Sequence, residues 1–205
     1  MDSGERKEHW ETIYCTKAET QVSWFQETAV TSLALLDRIP QHLHIIDVGG
    51  GVSRLVDDLV ARGYSAVTVL DVSLAALETA KARLGAKAAI VQWIVADITQ
   101  WIPSISYDAW HDRAVLHFLV NEEDRQAYLH ALRRGTHQGS LIVISTFDLD
   151  GPEKCSGLPV QRYSPETLAT FLGPKFTLLD SHAETHKTPW ESEQRFQFSC
   201  FIRNA

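Results

Sequence analysis

The stretch LHIIDVGGGVSRL, residues 43–55, decides the fold. A short apolar run rich in isoleucine passes through an acid, Asp47, into three successive glycines, and then into residues with helical spacing. Glycine reaches positive φ without steric cost, so Gly49, Gly50 and Gly51 mark a tight strand-to-helix turn whose bare backbone lets a ligand approach a helix N-terminus. A dinucleotide fingerprint would need its third glycine where Arg54 stands, which disfavours NAD. Asp47 would repel a pyrophosphate but suits a cationic aminoacyl or sulfonium group. Taken alone, the glycines could equally form a tight connection with no ligand.

Working outward, the pattern of strand, turn and helix repeats from 43 to 147. The runs LHIIDV (43–48), AVTVLDV (66–72), AAIVQWIV (88–95), YDAWHD (107–112) and SLIVISTF (140–147) have strand length and β-branched content. Between them Val52–Arg62, Ser73–Leu84 and Glu122–Arg134 place apolar residues at helical intervals, among them Leu74, Leu77 and Ala80, and Tyr128, Leu129 and Leu132. Such alternation predicts an α/β fold with a parallel sheet covered by helices. The segment 148–162 has no periodicity and reads as a loop long enough to wall a substrate site. Ser164 and Pro165 open a short helix, and 175–186 with 191–204 read as an antiparallel strand pair.

Length and charge bound the rest. The 205 residues suffice for one domain with a real core, and 44% hydrophobic with 22% charged residues is a globular composition. A formal charge of −7 provides no basic footprint for nucleic acid or an anionic membrane. Cys15, Cys155 and Cys200 form no CxxC pair, so neither a disulfide framework nor a thiolate metal site is expected, and the thiols suit a cytoplasmic protein. The polar N-terminus and the lack of a long apolar run give no sign of a signal peptide or a membrane span.

In open α/β sheets ligands lie at the carboxyl ends of the strands, so the residues there carry the chemistry. Asp71 ends the second predicted strand 20 residues beyond Gly51, the spacing at which an acid accepts hydrogen bonds from ribose hydroxyls. Asp97 and Ile98 follow the third, an acceptor beside an aliphatic face that can hold a purine and its exocyclic amine. Singly, Asp71 or Asp97 could be a turn cap. Three acids ending three consecutive strands point to a shared ligand.

Through IIDVGGGVS, VTVLDVS, VADITQW and YDAWHDRAVLHFL the chain resembles the class I, seven-β-strand, Rossmann-like methyltransferases that use S-adenosylmethionine. The resemblance spans nearly the whole chain. It implies a seven-stranded, mostly parallel sheet of order 3-2-1-4-5-7-6 with an antiparallel final strand, in one domain over 1–205. S-adenosyl-L-methionine would be the cofactor and S-adenosyl-L-homocysteine its product. Asp47, Gly49, Gly50 and Gly51 would lie by the methionine portion, Asp71 with Val72 at the ribose, and Asp97 with Ile98 at the adenine. Asp112 would face the methionyl end. Ser53 replaces the last glycine of the family's D-x-G-x-G-x-G pattern.

HWETIY followed by VSWFQ resembles the opening of small methyltransferases whose N-terminal helix crosses the cofactor, so 1–26 is expected to be an aromatic leader. Trp10, Tyr14, Trp24 and Phe25 would close over a sulfonium by cation-π attraction and exclusion of water. His111, Asp112 and His117 are the candidate catalytic groups, able to take a proton from an amine or an oxygen acid. Two acceptors are consistent with the motifs: a protein lysine, from the likeness of the leader to relatives of elongation-factor lysine methyltransferases, or a small molecule. WHDRAVLHFL is similar to the DRA stretch of thiopurine-type enzymes, which implies a small thiol, and a non-catalytic cofactor-binding protein is the reading outside the enzyme class. A monomer or homodimer with no metal is expected. His182 and His186, flanking Glu184, read as a strand's surface face.

Overall fold

The computed structural model describes residues 1–205. Six helices form: α1 (Ser3–Thr16), α2 (Val30–Leu36), α3 (Leu55–Ala61), α4 (Leu74–Leu84), α5 (Glu122–Arg134) and α6 (Pro165–Leu172). The strands are β1 (Ile45–Val48), β2 (Val67–Asp71), β3 (Val91–Val95), β4 (Tyr107–Arg113), β5 (Thr136–Phe147), β6 (Lys154–Cys155), β7 (Leu158–Pro159), β8 (Phe176–Lys187) and β9 (Glu193–Arg203). Seven of them make one sheet in the order β3-β2-β1-β4-β5-β9-β8. Strands β1 to β5 pair in parallel, and β9 runs antiparallel to both neighbours. This is the expected topology, with β6 and β7 a small separate ladder inside the 148–162 loop.

Both faces of the sheet are covered, so β1 and β2 are buried at every position instead of alternating between core and solvent. Ile45, Val69, Val143 and Phe198 turn to one face, beneath Leu33, Leu36, Leu55 and Leu59 of α2 and α3. Ile46, Trp110, Ile142 and Phe201 turn to the other, against Tyr128, Leu129 and Leu132 of α5 and Leu168 and Leu172 of α6. Neighbouring residues on a strand point to opposite faces, and here each face meets its own helix layer.

Two expected boundaries shift for local reasons. Residues 52–54 belong to the glycine turn, closed by Ser53 N–H on the Gly50 carbonyl, so α3 starts at Leu55. Residues 88–90 lie in a 3₁₀ turn that spans Gly85–Ile90, and Trp93 Nε1 donates to the Ala88 carbonyl at 3.0 Å, which leaves the third strand to begin at Val91. In α4 the buried face is Ala76, Leu77 and Ala80, and Leu74 is exposed because it occupies the first turn beside the Ser73 cap.

His186 is buried and Glu184 is half-buried, contrary to the surface face expected of them. His186 Nε2 meets the Ser23 carbonyl at 2.7 Å, and Glu184 accepts from Gln26 Nε2 and Thr31 Oγ1. Only His182 stays exposed, against Asp180. This end of β8 therefore moors the segment that leads into α2. No helix is long and apolar enough to cross a membrane.

A buried polar chain ties α5 to the sheet. Trp110 Nε1 donates to Tyr128 Oη at 3.1 Å, and that hydroxyl in turn donates to Asp112. Replacing Tyr128 by Phe strips both partners inside a fully buried site, so Tyr128→Phe should lower unfolding free energy by about 1–3 kcal/mol in urea titration. A loss within about 0.5 kcal/mol, typical of surface substitutions, would mean that the chain contributes nothing.

Candidate functional site

The glycine turn is built by crowding. Gly49 and Gly50 N–H groups both bond the Leu70 carbonyl, which draws the turn against the end of β2. Gly49 sits at φ +69° and a Cβ there would overlap Val115, while Gly51 sits at φ +47° with Tyr14 Oη and Asp71 Oδ2 each 3.0 Å from where its Cβ would be. Side chains are excluded at both positions, by conformation and by space. Across the sheet, Ala114 follows β4 at φ 73°, a left-handed conformation uncommon for a residue with a Cβ. The kink at Ala114 presents Arg113 and Val115 to the same space as the glycines.

That space is a cleft at the carboxyl ends of the strands, lined mainly by apolar side chains with a few polar groups, as small-molecule and cofactor sites are. Val48, Gly49, Leu70, Asp71, Val72, Ala96, Asp97 and Ile98 line it from β1, β2 and β3 and the turns after them. Arg113, Ala114, Val115, Phe118 and Leu119 line it from β4 and beyond, with Cys155 from the long loop and Phe196 from β9. The loop after β5 is thus a wall of the cavity.

Electrostatics divides the cleft. Asp71 is buried, takes N–H bonds from Ser73, Val72 and Gly51, and has no cation beside it; burial, together with the charge of Asp47, pushes its carboxyl up to about 7. Asp97 differs. Burial would raise it, but Thr99 N–H and Oγ1 on Oδ1 and the Arg6 guanidinium on Oδ2 outweigh that and hold it below the ordinary carboxylate value. At the other end, Arg113 has no carboxylate partner, and burial lowers it to about 10. Cys155 is raised to about 11 by burial and is a neutral thiol.

The leader covers the cleft and is bolted on both sides. Arg6 of α1 bonds Asp97 at 3.0 Å and forks onto Asp124 of α5 at 2.9 and 3.3 Å. Glu11 accepts from Ser73 Oγ and Ala75 N at the start of α4. Glu19 bridges Arg54 and Arg83, and Trp24 gives its carbonyl to Arg113 Nη1. Trp10, Tyr14 and Trp24 line the cleft, their rings packed edge-on with Phe118: Trp10 lies 4.9 Å from Phe118 and 5.7 Å from Trp24. Phe25 turns away, under the Arg54 guanidinium.

Several residues named from the motifs do not reach the cleft. Asp47 is buried with Oδ1 on His111 Nδ1 at 2.7 Å and Oδ2 without a partner, and His111 Nε2 meets Ser32 Oγ at 2.8 Å, so both ring nitrogens of His111 are used inside the fold. Asp112 has no exposed surface; its oxygens accept from Val115 N and Leu116 N and so cap the following turn. His117 is enclosed between Phe118 and Phe147, and burial, helped by the charge of Arg113, pushes it down to about 3. It is neutral and a poor base. Gly50 and Gly51 shape the turn from behind, and Gly50 has no room for a Cβ against Asp47 and Val69. Conversely Arg6, Phe118, Cys155 and Phe196 line the cleft without having been singled out in the sequence, and Arg113 lines it as the cation of the WHDR stretch. The one available signal was Arg113, a charge next to the end of an apolar strand.

Residues 45–139 match the family model of a methyltransferase domain. A search of curated proteins returns no match. Among solved structures, a chain from work on the conversion of a disulfide bond into a thioacetal group during echinomycin biosynthesis is 19% identical at a TM-score of 0.75, covering 97% of this chain and 93% of that one. An S-adenosylmethionine-dependent methyltransferase from Anabaena variabilis is 15% identical with a TM-score of 0.73, over 98% of this chain and 95% of its own. The Burkholderia thailandensis 1,6-didemethyltoxoflavin N1-methyltransferase, solved with S-adenosylhomocysteine, is 15% identical with a TM-score of 0.71, over 100% and 92%. Residues 45–139 thus carry a methyltransferase domain, and the fold is the one found in methyltransferases whose cofactor is S-adenosylmethionine. The residues present fit that group: a buried acid without a cation, a turn that any side chain would fill, and apolar walls wide enough for a purine.

An acid whose folded value is raised costs stability wherever the unfolded chain ionises first. For Asp71 the cost is absent below about pH 3.8, grows as pH rises, and is complete above about 7. In cofactor-free protein Asp71→Asn should therefore raise the melting temperature at pH 8, by a gap that closes towards pH 4, with an upper bound on the order of 4 kcal/mol. Parallel melting curves for the two proteins across that range would show that Asp71 bears no burial cost.

Proposed function

We propose that the protein transfers the methyl group of S-adenosylmethionine to a small molecule held inside this cleft, and not to a protein lysine. Arg113 carries the reading. A fixed positive charge among Trp24, Phe118 and Phe196 repels a lysine ammonium at the place where an acceptor must enter. The enclosure by the leader and by Cys155 of the long loop supports the same choice, because it leaves a chamber instead of an open channel.

In this reading Asp71 accepts from the ribose hydroxyls, with Val72 alongside. Ile98 and Ala96 meet the purine face, with Asp97 beside them. Val48 and Gly49 lie beneath the methionyl portion, with Asp47, Gly50 and Gly51 supporting the turn. Tyr14, Trp24 and Trp10 cover the sulfonium. When bound, the cofactor supplies a methyl group on positively charged sulfur, already activated for in-line displacement. The protein aligns the acceptor and excludes water, an effect worth about 7–11 kcal/mol for a well-placed pair.

His111, Asp112 and His117 are unable to serve as the base from where they lie, and Cys155 holds its proton. The acceptor therefore arrives as a nucleophile in its own right, such as a thiolate or a neutral amine. Residues 1–26 act as the cover, and the whole chain works as one domain. The free cysteines suit a reducing, cytoplasmic setting.

Binding to the native state alone raises the melting temperature by mass action. S-adenosylhomocysteine should stabilise the protein and NAD should not. Arg6→Met removes the bolt between α1, Asp97 and Asp124, so cofactor affinity should fall about tenfold or more and proteolysis between residues 1 and 26 should accelerate. Equal protection by NAD would defeat the cofactor site, and unchanged affinity in the variant would show that the leader is packing only.

A further inference from the structure

Arg113 is the one cavity group whose hydrogen-bonding capacity the fold leaves largely unused. Its Nη1 donates to the Trp24 carbonyl at 3.0 Å, while Nε and Nη2 are sealed from solvent and find no partner. Buried guanidinium N–H groups are normally paired, and leaving them unpaired is costly. The nearest acids are already committed. Asp47 holds His111, and Glu184 holds Gln26 and Thr31.

The cation is also rigidly presented. It lies over the Phe196 ring, 5.0 Å from its centroid, and projects from the last residue of β4 ahead of the left-handed turn at Ala114. Aromatic faces and a free guanidinium edge make a slot for a flat anion, since two N–H groups on one side of a guanidinium match the two oxygens of a carboxylate. The slot is at the opposite end of the cleft from Asp97, beyond the glycine turn, in the part that Phe118, Cys155 and Phe196 complete.

We propose that Arg113 is a carboxylate receptor, receiving at the methyl-transfer end a carboxylate through its free Nε and Nη2 edge. It rests on the reading of this cleft as the cofactor and acceptor site. The carboxylate is that of an anionic methyl acceptor, which the aromatic walls of the slot favour. The guanidinium is then neutralised when the acceptor is bound and bare when it is not.

The test uses the full chain and Arg113→Met, which keeps the length of the stem and drops the charge. Because Nε and Nη2 are unpaired in the free protein and only Nη1 holds a partner, the Trp24 carbonyl, the variant should melt close to wild type, which separates a ligand role from a structural one. Affinities for S-adenosylhomocysteine and for 5′-methylthioadenosine, which lacks the carboxylate, are measured on both proteins, and benzoate, with benzamide as its neutral control, is titrated onto the S-adenosylhomocysteine complexes. If the acceptor supplies the carboxylate, S-adenosylhomocysteine affinity is unchanged, and benzoate but not benzamide protects wild type and loses about tenfold or more in the variant. If instead the variant loses that factor for S-adenosylhomocysteine and nothing for 5′-methylthioadenosine, the guanidinium holds the methionyl tail of the cofactor and the proposal is overturned. It is overturned too if benzoate protects both proteins equally or neither, or if the variant melts well below wild type. Failure of wild type to bind either nucleoside would instead strike the assignment of the cleft.

Discussion

An apolar cleft that holds ionisable groups without countercharges is a costly thing to fold around, and that cost organises this molecule. Asp71 has backbone N–H donors but no cation, and Arg113 has one carbonyl and no anion. Other charges near the rim are neutralised within the protein: Asp97 and Asp124 by Arg6, Glu19 by Arg54 and Arg83, Asp57 by Arg83. Pairing is evidently available to this fold. Asp71 and Arg113 both line one cavity, where ligand hydroxyls at the first and an anion at the second would complete them.

The paired charges and the unpaired ones have separate jobs. Salt bridges of Arg6 and Glu19 hold the leader over the strand ends, and the Glu11 contact with Ser73 and Ala75 joins α1 to the N-terminus of α4, where an acid is favourably placed. Much of the wall facing a cofactor is thereby made of residues distant in sequence. Trp10, Tyr14 and Trp24 come from the leader, Phe118 from the turn after β4, and Phe196 from the strand that runs against the rest. Stability of the cover and access to the cleft are thus coupled through the same ion pairs.

Much of this was legible in the sequence, and the reason lies in the period of a strand. The β-rich runs and the acids that end them place Asp71 and Asp97 at the sheet's carboxyl edge whatever the later packing, and the glycine triplet marks the turn by its φ requirements. Which way an edge residue then points is a tertiary matter. Asp112 and His111 end a strand as Asp71 does, yet Asp112 turns to the N–H groups of Val115 and Leu116, and His111 sinks between Asp47 and Ser32. Period alone does not distinguish a ligand-facing acid from a cap. Arg113, Cys155 and Phe196 meet only because β9 doubles back beside β5 and the intervening loop folds over the edge, and no local pattern encodes that meeting.

The central claim is that the cleft stores an unmet charge which the cofactor satisfies, and proton exchange on binding reads it directly. Near pH 7 the Asp71 carboxyl is partly protonated in the free protein, and in the site proposed above ribose hydroxyls would donate to it and stabilise the ionised form, so it should give up a proton when that site fills. Calorimetric titration with S-adenosylhomocysteine at pH 7, in buffers of differing ionisation enthalpy, should show a fraction of a proton released, vanishing by pH 9 and absent in Asp71→Asn. Binding with no proton release at pH 7, or the same release in the variant, would contradict the account.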